Sequence, residues 1–176
     1  IFFTLDASSE QYNFDNLTVE NTETRTFSND VIWVQGDILI DGLLTIENCG
    51  LNVNLTLDQT ISEIRINSSG QLNLFNTSIS TMKHDGNNTE NIFSTYTLVS
   101  DAGNLNIMNA NIDYGMIWLV GGSANITNLT LNGYNLINYG IFTEDTNLNV
   151  SNVYIQNYTL GLRSIGKDPV LDYISY

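Results

Sequence analysis

The chain has 176 residues, of which 19 are acidic and 5 basic, so its formal net charge is −14. The acidic content is ordinary for a globular protein, and the imbalance arises because lysine and arginine are scarce. A hydrophobic fraction of 42% excludes a disordered acidic tail, and five scattered cations exclude a nucleic-acid partner.

Targeting signals are few. No apolar run reaches the roughly 20 residues that a transmembrane helix needs, and the length fits one domain. The chain starts at Ile1 without an initiator methionine. We therefore expect a mature, secreted chain whose leader has been removed.

Six ten-residue segments align without gaps, and they begin at Asp15, Gly42, Gly70, Gly103, Gly122 and Thr146. Their third and fifth positions are apolar, as in Leu44 and Ile46, while the fourth and sixth are mostly polar. This period of two predicts a strand with one buried face. The seventh position is asparagine in all six segments, and successive segments start about 26 residues apart.

Further short strand candidates lie between the repeats, at residues 38–40, 64–66, 96–99, 117–120, 141–142 and 160–162. Each coil would hold about three strands, and equivalent strands would stack in parallel about 4.8 Å apart. We expect an all-β, single-domain right-handed parallel β-helix of about six coils over residues 1–176. Residues 1–13 would form an N-terminal strand, cap or subunit contact, 14–165 the coils, and 166–176 a C-terminal tail or contact. A hairpin sandwich is the structural alternative.

The repeated asparagine has a physical reason in this fold. It follows the buried strand at a tight turn, where asparagine tolerates a left-handed backbone. Its amide can donate to one neighbouring coil and accept from the other. We expect an internal, buried ladder of Asn21, Asn48, Asn76, Asn109, Asn128 and Asn152. Alternatively, these residues only mark exposed turns.

The coil pattern G-x-L-N-I-x-N-x-x-I, with phrases such as Asn138-Tyr-Gly-Ile-Phe and Tyr158-Thr-Leu-Gly-Leu, resembles the right-handed parallel β-helix superfamily over residues 14–165. That superfamily includes pectate-lyase-like enzymes, phage tailspikes and many bacterial and archaeal cell-surface proteins. The resemblance implies the fold and leaves the function open, because one fold hosts many activities. Carbohydrate-active members cleave with clustered carboxylates, often with an arginine or lysine and sometimes with calcium.

Catalytic signals are weak in this chain. Only Glu20 and Glu47 put outward carboxylates on neighbouring coils in the alignment, where a glycosidase needs a facing pair. The cations are dispersed: Arg25, Arg65, Lys83, Arg163 and Lys167. Three aspartates precede the repeats and could form a loose calcium-attracting edge, although turn formation explains them equally: Asp41, Asp101 and Asp145. We expect no catalytic residue.

Metal and contact sites are similarly sparse. One histidine, His84, and one cysteine, Cys49, cannot build a zinc site. We expect no cofactor, with calcium at subunit contacts as the only candidate. His84 lies in an insertion around residues 80–94, which is the best candidate contact loop. Cys49 is either a buried thiol or an intermolecular bridge, and we favour the buried thiol.

Nine N-x-S/T sequons, about twice the number expected by chance, predict a secreted glycoprotein with N-linked glycans. Asn76 and Asn128 belong to the ladder and should be buried and unmodified, so full glycan occupancy there would contradict the ladder register. The other sequons are glycosylation candidates: Asn16, Asn54, Asn67, Asn87, Asn125, Asn149 and Asn157.

Both ends of the chain are apolar and lack a capping helix, although solenoid ends are normally capped. We expect them to contact other subunits; folding back over the chain's own ends is the alternative. The contact candidates are Ile1, Phe2, Phe3, Leu5, Val170, Leu171, Tyr173 and Tyr176. The sequence thus favours a non-enzymatic, self-assembling cell-surface glycoprotein of a sheath, surface layer or extracellular filament. A carbohydrate-binding or adhesive module is the alternative, and a polysaccharide lyase or hydrolase a weaker one.

Overall fold

The computed structural model describes residues 9–53, 62–81, 96–133 and 138–175. Within these ranges the chain forms eighteen strands, and no helix there is long and apolar enough to cross a membrane. The strands are β1 (Gln11–Phe14), β2 (Leu17–Val19), β3 (Thr24–Ser28), β4 (Val31–Val34), β5 (Ile38–Ile40), β6 (Leu43–Glu47), β7 (Gly50–Val53), β8 (Ser62–Ile66), β9 (Gln71–Phe75), β10 (Ser78–Thr81), β11 (Tyr96–Asp101), β12 (Asn104–Asp113), β13 (Gly115–Val120), β14 (Ser123–Asn132), β15 (Tyr139–Glu144), β16 (Asn147–Gln156), β17 (Leu160–Ile165) and β18 (Val170–Ser175).

These strands form two parallel sheets. Sheet B has seven strands in the order β17-β15-β13-β11-β8-β5-β2, and the remaining eleven strands form sheet A. Each pairing joins successive coils, as where Leu98 pairs with Ile117. The described chain is therefore a parallel β-solenoid of about seven turns. This confirms the predicted fold class, with one turn more than expected, and every strand predicted between the repeats is present in sheet B.

The core lies between the two sheets and consists of stacked aliphatic side chains. Inward and outward positions alternate along each strand, so that Leu105 and Ile107 of β12 are buried while Asn104 and Met108 are exposed. Because successive coils keep this register, leucine and isoleucine stack on one another from coil to coil. Each buried aliphatic side chain contributes about 1.5–3 kcal/mol of hydrophobic stabilisation.

The first of the six aligned segments lies in a different sheet from the others. Its strand β2 pairs with β5 in sheet B, whereas β6 of the second segment pairs with β3 in sheet A. Since Ser28 pairs with Glu47, Asn29 and not Asn21 occupies the turn equivalent to Asn48. Asn29 has a φ of 63°. The predicted register of this segment is wrong, because both sheets use the same alternation and a short apolar-polar-apolar strand fits either.

The coils also include segments that the sequence analysis set apart from them. β1 pairs with β4 near the N-terminal end. β18 falls within residues 166–176, for which we expected a tail or contact, and it pairs with β16. The described solenoid is therefore terminated by β1, β2 and β3 at one end and by β17 and β18 at the other.

Candidate functional site

A ladder of asparagine side chains runs along one corner of sheet A. This edge ladder consists of Asn48, Asn76, Asn109, Asn128 and Asn152. Each Nδ2 donates to Oδ1 of the preceding rung, and the four bonds measure 3.0, 3.0, 2.7 and 2.7 Å. All five residues have φ between 49° and 57°. The predicted ladder is therefore confirmed for these five residues and wrong for Asn21, which lies in the turn after β2.

The expectation that the ladder is buried is wrong. All five rungs are exposed, because the left-handed residue turns its side chain outward at the corner. The next residue turns inward instead, as do Cys49, Ala110 and Leu129, all of which are buried. The ladder amides therefore bond to one another within reach of water. Burial therefore does not shield Asn76 and Asn128 from glycosylation. They differ from an unbonded sequon asparagine only because their amide groups are hydrogen-bonded within the ladder.

A second asparagine ladder, which the sequence analysis missed, crosses the outer face of sheet A. This face ladder consists of Asn73, Asn106, Asn125 and Asn149. Its three bonds run from each Nδ2 to Oδ1 of the preceding rung at 2.8, 3.2 and 2.9 Å. Asn73 extends the row by donating to Thr45 Oγ1 at 3.2 Å. The sequence signal was asparagine at the fourth position of four successive segments, a position that we described only as mostly polar.

Most of the described sequon asparagines use the amide nitrogen, which is the atom that carries an N-linked glycan. Asn67 Nδ2 donates to Asp41 Oδ1 at 2.8 Å, and Asn157 Nδ2 donates to Asn132 Oδ1 at 2.8 Å. The sequons of the two ladders are bonded in the same way. In each case the nitrogen ties one coil to another, so a glycan there must share the amide with a structural bond.

Asn16 differs from these residues. It is exposed, and its Oδ1 accepts the backbone N–H of Asp37 at 2.8 Å. Within the described ranges no hydrogen bond uses its Nδ2. The candidates Asn54 and Asn87 lie outside the described residues. Among the sequons that the structure describes, Asn16 therefore presents the amide nitrogen best placed for a glycan.

Glu20 and Glu47, the weak candidates for a catalytic pair, do not face one another. Glu20 follows β2 of sheet B, whereas Glu47 ends β6 of sheet A, so the alignment that faced them across coils is wrong. The Asp41 carboxylate accepts a hydrogen bond from Asn67 Nδ2. In the stack of turns that follow the strands of sheet B, Asn67 lies between Asp41 and Asp101. Across the part of the chain that the structure describes, no group of three or more His, Cys, Asp or Glu residues could hold a metal ion. His84 and Lys83 lie outside it.

Cys49 is a buried thiol at the corner after β6. Its Sγ accepts the backbone N–H of Asp30 at 3.4 Å and donates to the carbonyl of Glu47 at 3.1 Å. Burial raises the pKa of this thiol. The interpretation as a buried thiol is confirmed, and the thiol stabilises the turn between two strands of sheet A.

The N-terminal end of the solenoid is covered by aromatic side chains. The Tyr12 and Phe27 rings meet edge to face with centroids 5.0 Å apart, and the Arg25 guanidinium lies 5.6 Å from the Phe14 ring centroid. Arg25 also pairs with Glu23 at 3.5 Å. This arrangement closes the core at the first coil. The contact candidates Ile1, Phe2, Phe3 and Leu5 lie outside the described residues.

The last described coil is open. Val170, Leu171 and Tyr173 are 65%, 48% and 70% exposed. Leu171 pairs with Val150, which is buried, so Leu171 occupies an inward position that no further described coil covers. Tyr173 takes the next position of the edge ladder and has a φ of 51°, which is costly for a bulky residue. Tyr176 lies outside the described residues.

The outer face of sheet B carries an aromatic patch, which we define as Trp118, Tyr139, Phe142 and Arg163. The Trp118 and Phe142 rings meet edge to face with centroids 5.5 Å apart. The Arg163 guanidinium lies 5.8 Å from the Phe142 centroid, and its Nη1 donates to Tyr139 Oη at 3.1 Å. Trp118 is 42% exposed. The patch thus combines an exposed indole with a fixed hydrogen-bond donor.

No protein-family profile, curated protein or solved structure compared with this chain matches it. The fold class is therefore established by the strand register alone, and the resemblance to the β-helix superfamily stands at the level of architecture. Any function must be inferred from the surfaces of this chain.

Proposed function

We propose that this chain is a non-enzymatic structural subunit of an extracellular assembly, such as a sheath, surface layer or filament. The observation that carries the proposal is the last described coil, where Leu171 exposes an inward position of the solenoid. Exposed apolar side chains beside an unpaired strand edge favour the addition of another strand. The proposed mechanism is contact between rigid solenoids at this surface.

The two asparagine ladders support a mechanical role. They tie successive coils together outside the core, so that the outer face of sheet A is held by side-chain bonds as well as by backbone pairing. Each bond adds about 0.5–1.5 kcal/mol. A solenoid reinforced in this way resists bending between coils, which suits a repeating structural unit.

Secretion and glycosylation are part of the same proposal and follow from the sequons. Asn16 is the glycosylation site that we favour, because its amide nitrogen is free of other bonds within the described ranges. Calcium between copies would offset the repulsion expected from a net charge of −14 on each chain. We propose it only as a bridging ion between copies.

The assembly proposal is tested with the purified chain by light scattering across a concentration series and by electron microscopy. We expect the mass to grow with concentration in steps of the 19.6 kDa chain and images to show extended particles. A chelator added at low salt tests calcium, and unchanged assembly there would remove the ion from the proposal. A strictly monomeric protein at high concentration would contradict the structural role itself.

The aromatic patch favours a second candidate function, binding of a glycan. An exposed indole offers a flat apolar face for a sugar ring, and the Arg163 guanidinium, on the far side of the Phe142 ring, offers hydrogen-bond donors. The chain has two tryptophans, Trp33 and Trp118. In a Trp33→Phe background the fluorescence therefore reports Trp118 alone.

This second candidate predicts a saturable change in Trp118 fluorescence with at least one oligosaccharide of a glycan array. Arg163→Gln should weaken that response, whereas Tyr154→Ala, a change on the outer face of sheet A, should leave it unaltered. Absence of any saturable response across the array would contradict glycan binding at the patch without affecting the assembly proposal.

A further inference from the structure

We propose that a pocket beside Asn16 binds the sugars nearest the linkage of a glycan carried by that asparagine, so that the glycan becomes part of the folded corner. This inference rests on the glycosylation of Asn16 in the proposed function, and it adds where the glycan lies and what holds it. Three features carry it: a rigid corner, a pocket next to it, and polar side chains in the pocket that have no partner among the described residues.

Asn16 lies in a corner that is fixed by hydrogen bonds between the first two coils. The backbone N–H of Gly36 donates to the carbonyl of Asp15 at 2.7 Å, and the backbone N–H of Asp37 donates to Asn16 Oδ1 at 2.8 Å. A Cβ at Gly36 would clash with that oxygen, so the Asn16 amide lies directly against the glycine backbone. The attachment point of a glycan is therefore held in one orientation.

A pocket of about 120 Å³ adjoins this corner. It is lined by the ends of β1 and β4 and by the turns that follow them, through Asn13, Phe14, Asp15, Trp33 and Gln35. Its volume is about four times the share of one water molecule in the liquid, so it takes one face of a single sugar while the rest of the glycan stays in solvent. Because Asp15 and Asn16 are consecutive, a glycan on Asn16 starts at the edge of the pocket.

The side chains of the pocket suit a sugar. The rings of Phe14 and Trp33 offer apolar surface to the C–H groups of a pyranose. The Asp15 carboxylate accepts hydrogen bonds from hydroxyl groups, and the Gln35 amide both donates and accepts. Both polar residues are exposed, and neither side chain bonds to another described residue. Their hydrogen-bonding groups are thus available to a sugar.

The covalent linkage selects the chain's own glycan as the occupant. A free sugar loses translational and rotational freedom when it binds, and a pocket of this size offers few contacts to offset that loss. A sugar linked to Asn16 is held beside the pocket at an effective concentration of about millimolar. The tethered sugar therefore binds where a free one would dissociate.

Nuclear magnetic resonance of the whole glycosylated chain tests this contact. The chain has two tryptophans, Trp33 and Trp118, so its spectrum contains two indole N–H signals. Thr18→Ala abolishes the Asn16 sequon whereas Thr18→Ser retains it, and both lose the same methyl group from an exposed position. We expect the Trp33 signal to differ between these variants and the Trp118 signal to stay unchanged. Nuclear Overhauser contacts should join sugar protons to the Trp33 ring only in Thr18→Ser.

Thermal unfolding of the same variants tests the lining of the pocket. Thr18→Ser should unfold at a higher temperature than Thr18→Ala, because a glycan that binds the folded corner stabilises it. Adding Gln35→Ala to both variants should reduce this difference to about half. Gln156→Ala, the same change on β16 of sheet A, is the matched control and should leave the difference unaltered.

Glycopeptide mass spectrometry of Thr18→Ser separates two kinds of failure. An unoccupied Asn16 would overturn the proposed glycosylation at that residue and the bound glycan with it. An occupied Asn16 without sugar contacts to Trp33 would overturn the pocket assignment while the glycosylation proposal stands. A stability difference that Gln35→Ala leaves intact would do the same.

Discussion

At the residue scale, asparagine in the left-handed conformation ends one strand and bonds to the next coil. Asn109 illustrates both roles, since its φ is 57° and its side chain bonds to the rungs on either side. Asparagine tolerates this backbone region better than other non-glycine residues, and its amide both donates and accepts. Asparagine therefore suits both the left-handed turn and the side-chain hydrogen bonds between coils.

Replacing Asn109 separates the two roles. Asn109→Gly retains the freedom to adopt positive φ but removes two ladder bonds, so we expect it to lower the free energy of unfolding by about 1–2 kcal/mol. Asn109→Ala also introduces a side chain that disfavours positive φ, and we expect a loss larger by about 1 kcal/mol. Urea denaturation of both variants measures the difference. Equal stability of wild type and Asn109→Gly would show that the ladder bonds contribute nothing.

Tyr96, the first residue of β11, and Tyr158, which lies between β16 and β17, make opposite use of their hydroxyl groups. Tyr158 Oη donates to the carbonyl of Gly115 at 2.5 Å. Tyr96 is buried, and its hydroxyl has no hydrogen-bond partner among the described residues. We expect Tyr96→Phe to raise the free energy of unfolding by about 1 kcal/mol, because it removes an unsatisfied buried polar group. Tyr158→Phe should lower it by a similar amount.

The same two tyrosines predict a decline in folding stability at alkaline pH. Burial raises the pKa of Tyr96 well above 10.0 and also raises the pKa of Tyr158. Above a pH of 10 the unfolded chain loses these phenolic protons while the folded chain retains them, so stability falls as pH rises. Thermal unfolding between pH 8 and 11 should show a shallower alkaline decline in Tyr96→Phe. An identical decline in wild type and variant would contradict this assignment.

At the element scale, the sequence predicted six of the seven strands of sheet B and the five linked rungs of the edge ladder. It failed for the first segment because Leu17–Val19 alternates like any strand of the solenoid, and no local feature distinguishes the two sheets. It also failed for the face ladder, since asparagine on an outer face has the same pattern whether it bonds to its neighbours or to water. Both errors concern how residues of different coils pair with one another. The residue pattern within a single coil carries no information about that pairing.

The face ladder limits glycosylation at adjacent rungs. Asn125 and Asn149 are sequons on successive coils, about 4.8 Å apart, and Asn149 Nδ2 donates to Asn125 Oδ1. Two glycans on neighbouring rungs would collide and disturb the ladder bonds. We expect glycopeptide mass spectrometry of the native protein to find Asn16 occupied and Asn125 and Asn149 never occupied on the same molecule. Joint occupancy on one peptide would contradict the ladder as the native arrangement.

At the scale of the whole molecule, the stability of a solenoid is a sum of coils and of contacts between neighbours. A middle coil has two neighbours, whereas the coil that contains β17 and β18 has one described neighbour and exposed core positions. The first coil also has one neighbour, but the rings of Tyr12 and Phe27 and the guanidinium of Arg25 cover it. The two ends therefore differ in stability, and the C-terminal end should open first.

Hydrogen exchange across a concentration series tests this polarity. In dilute protein we expect amides of β17 and β18 to exchange fastest, those of β12 and β14 slowest, and those of β2 and β3 at intermediate rates, because local opening follows the number of neighbouring coils. At concentrations that favour assembly, protection should rise at β17 and β18, since the proposed contact covers the last described coil. Unchanged protection at β17 and β18 would show that assembly uses another surface. Uniform protection in dilute protein would show that the last coil is as stable as the core, and the exposure of Leu171 would then have no energetic consequence.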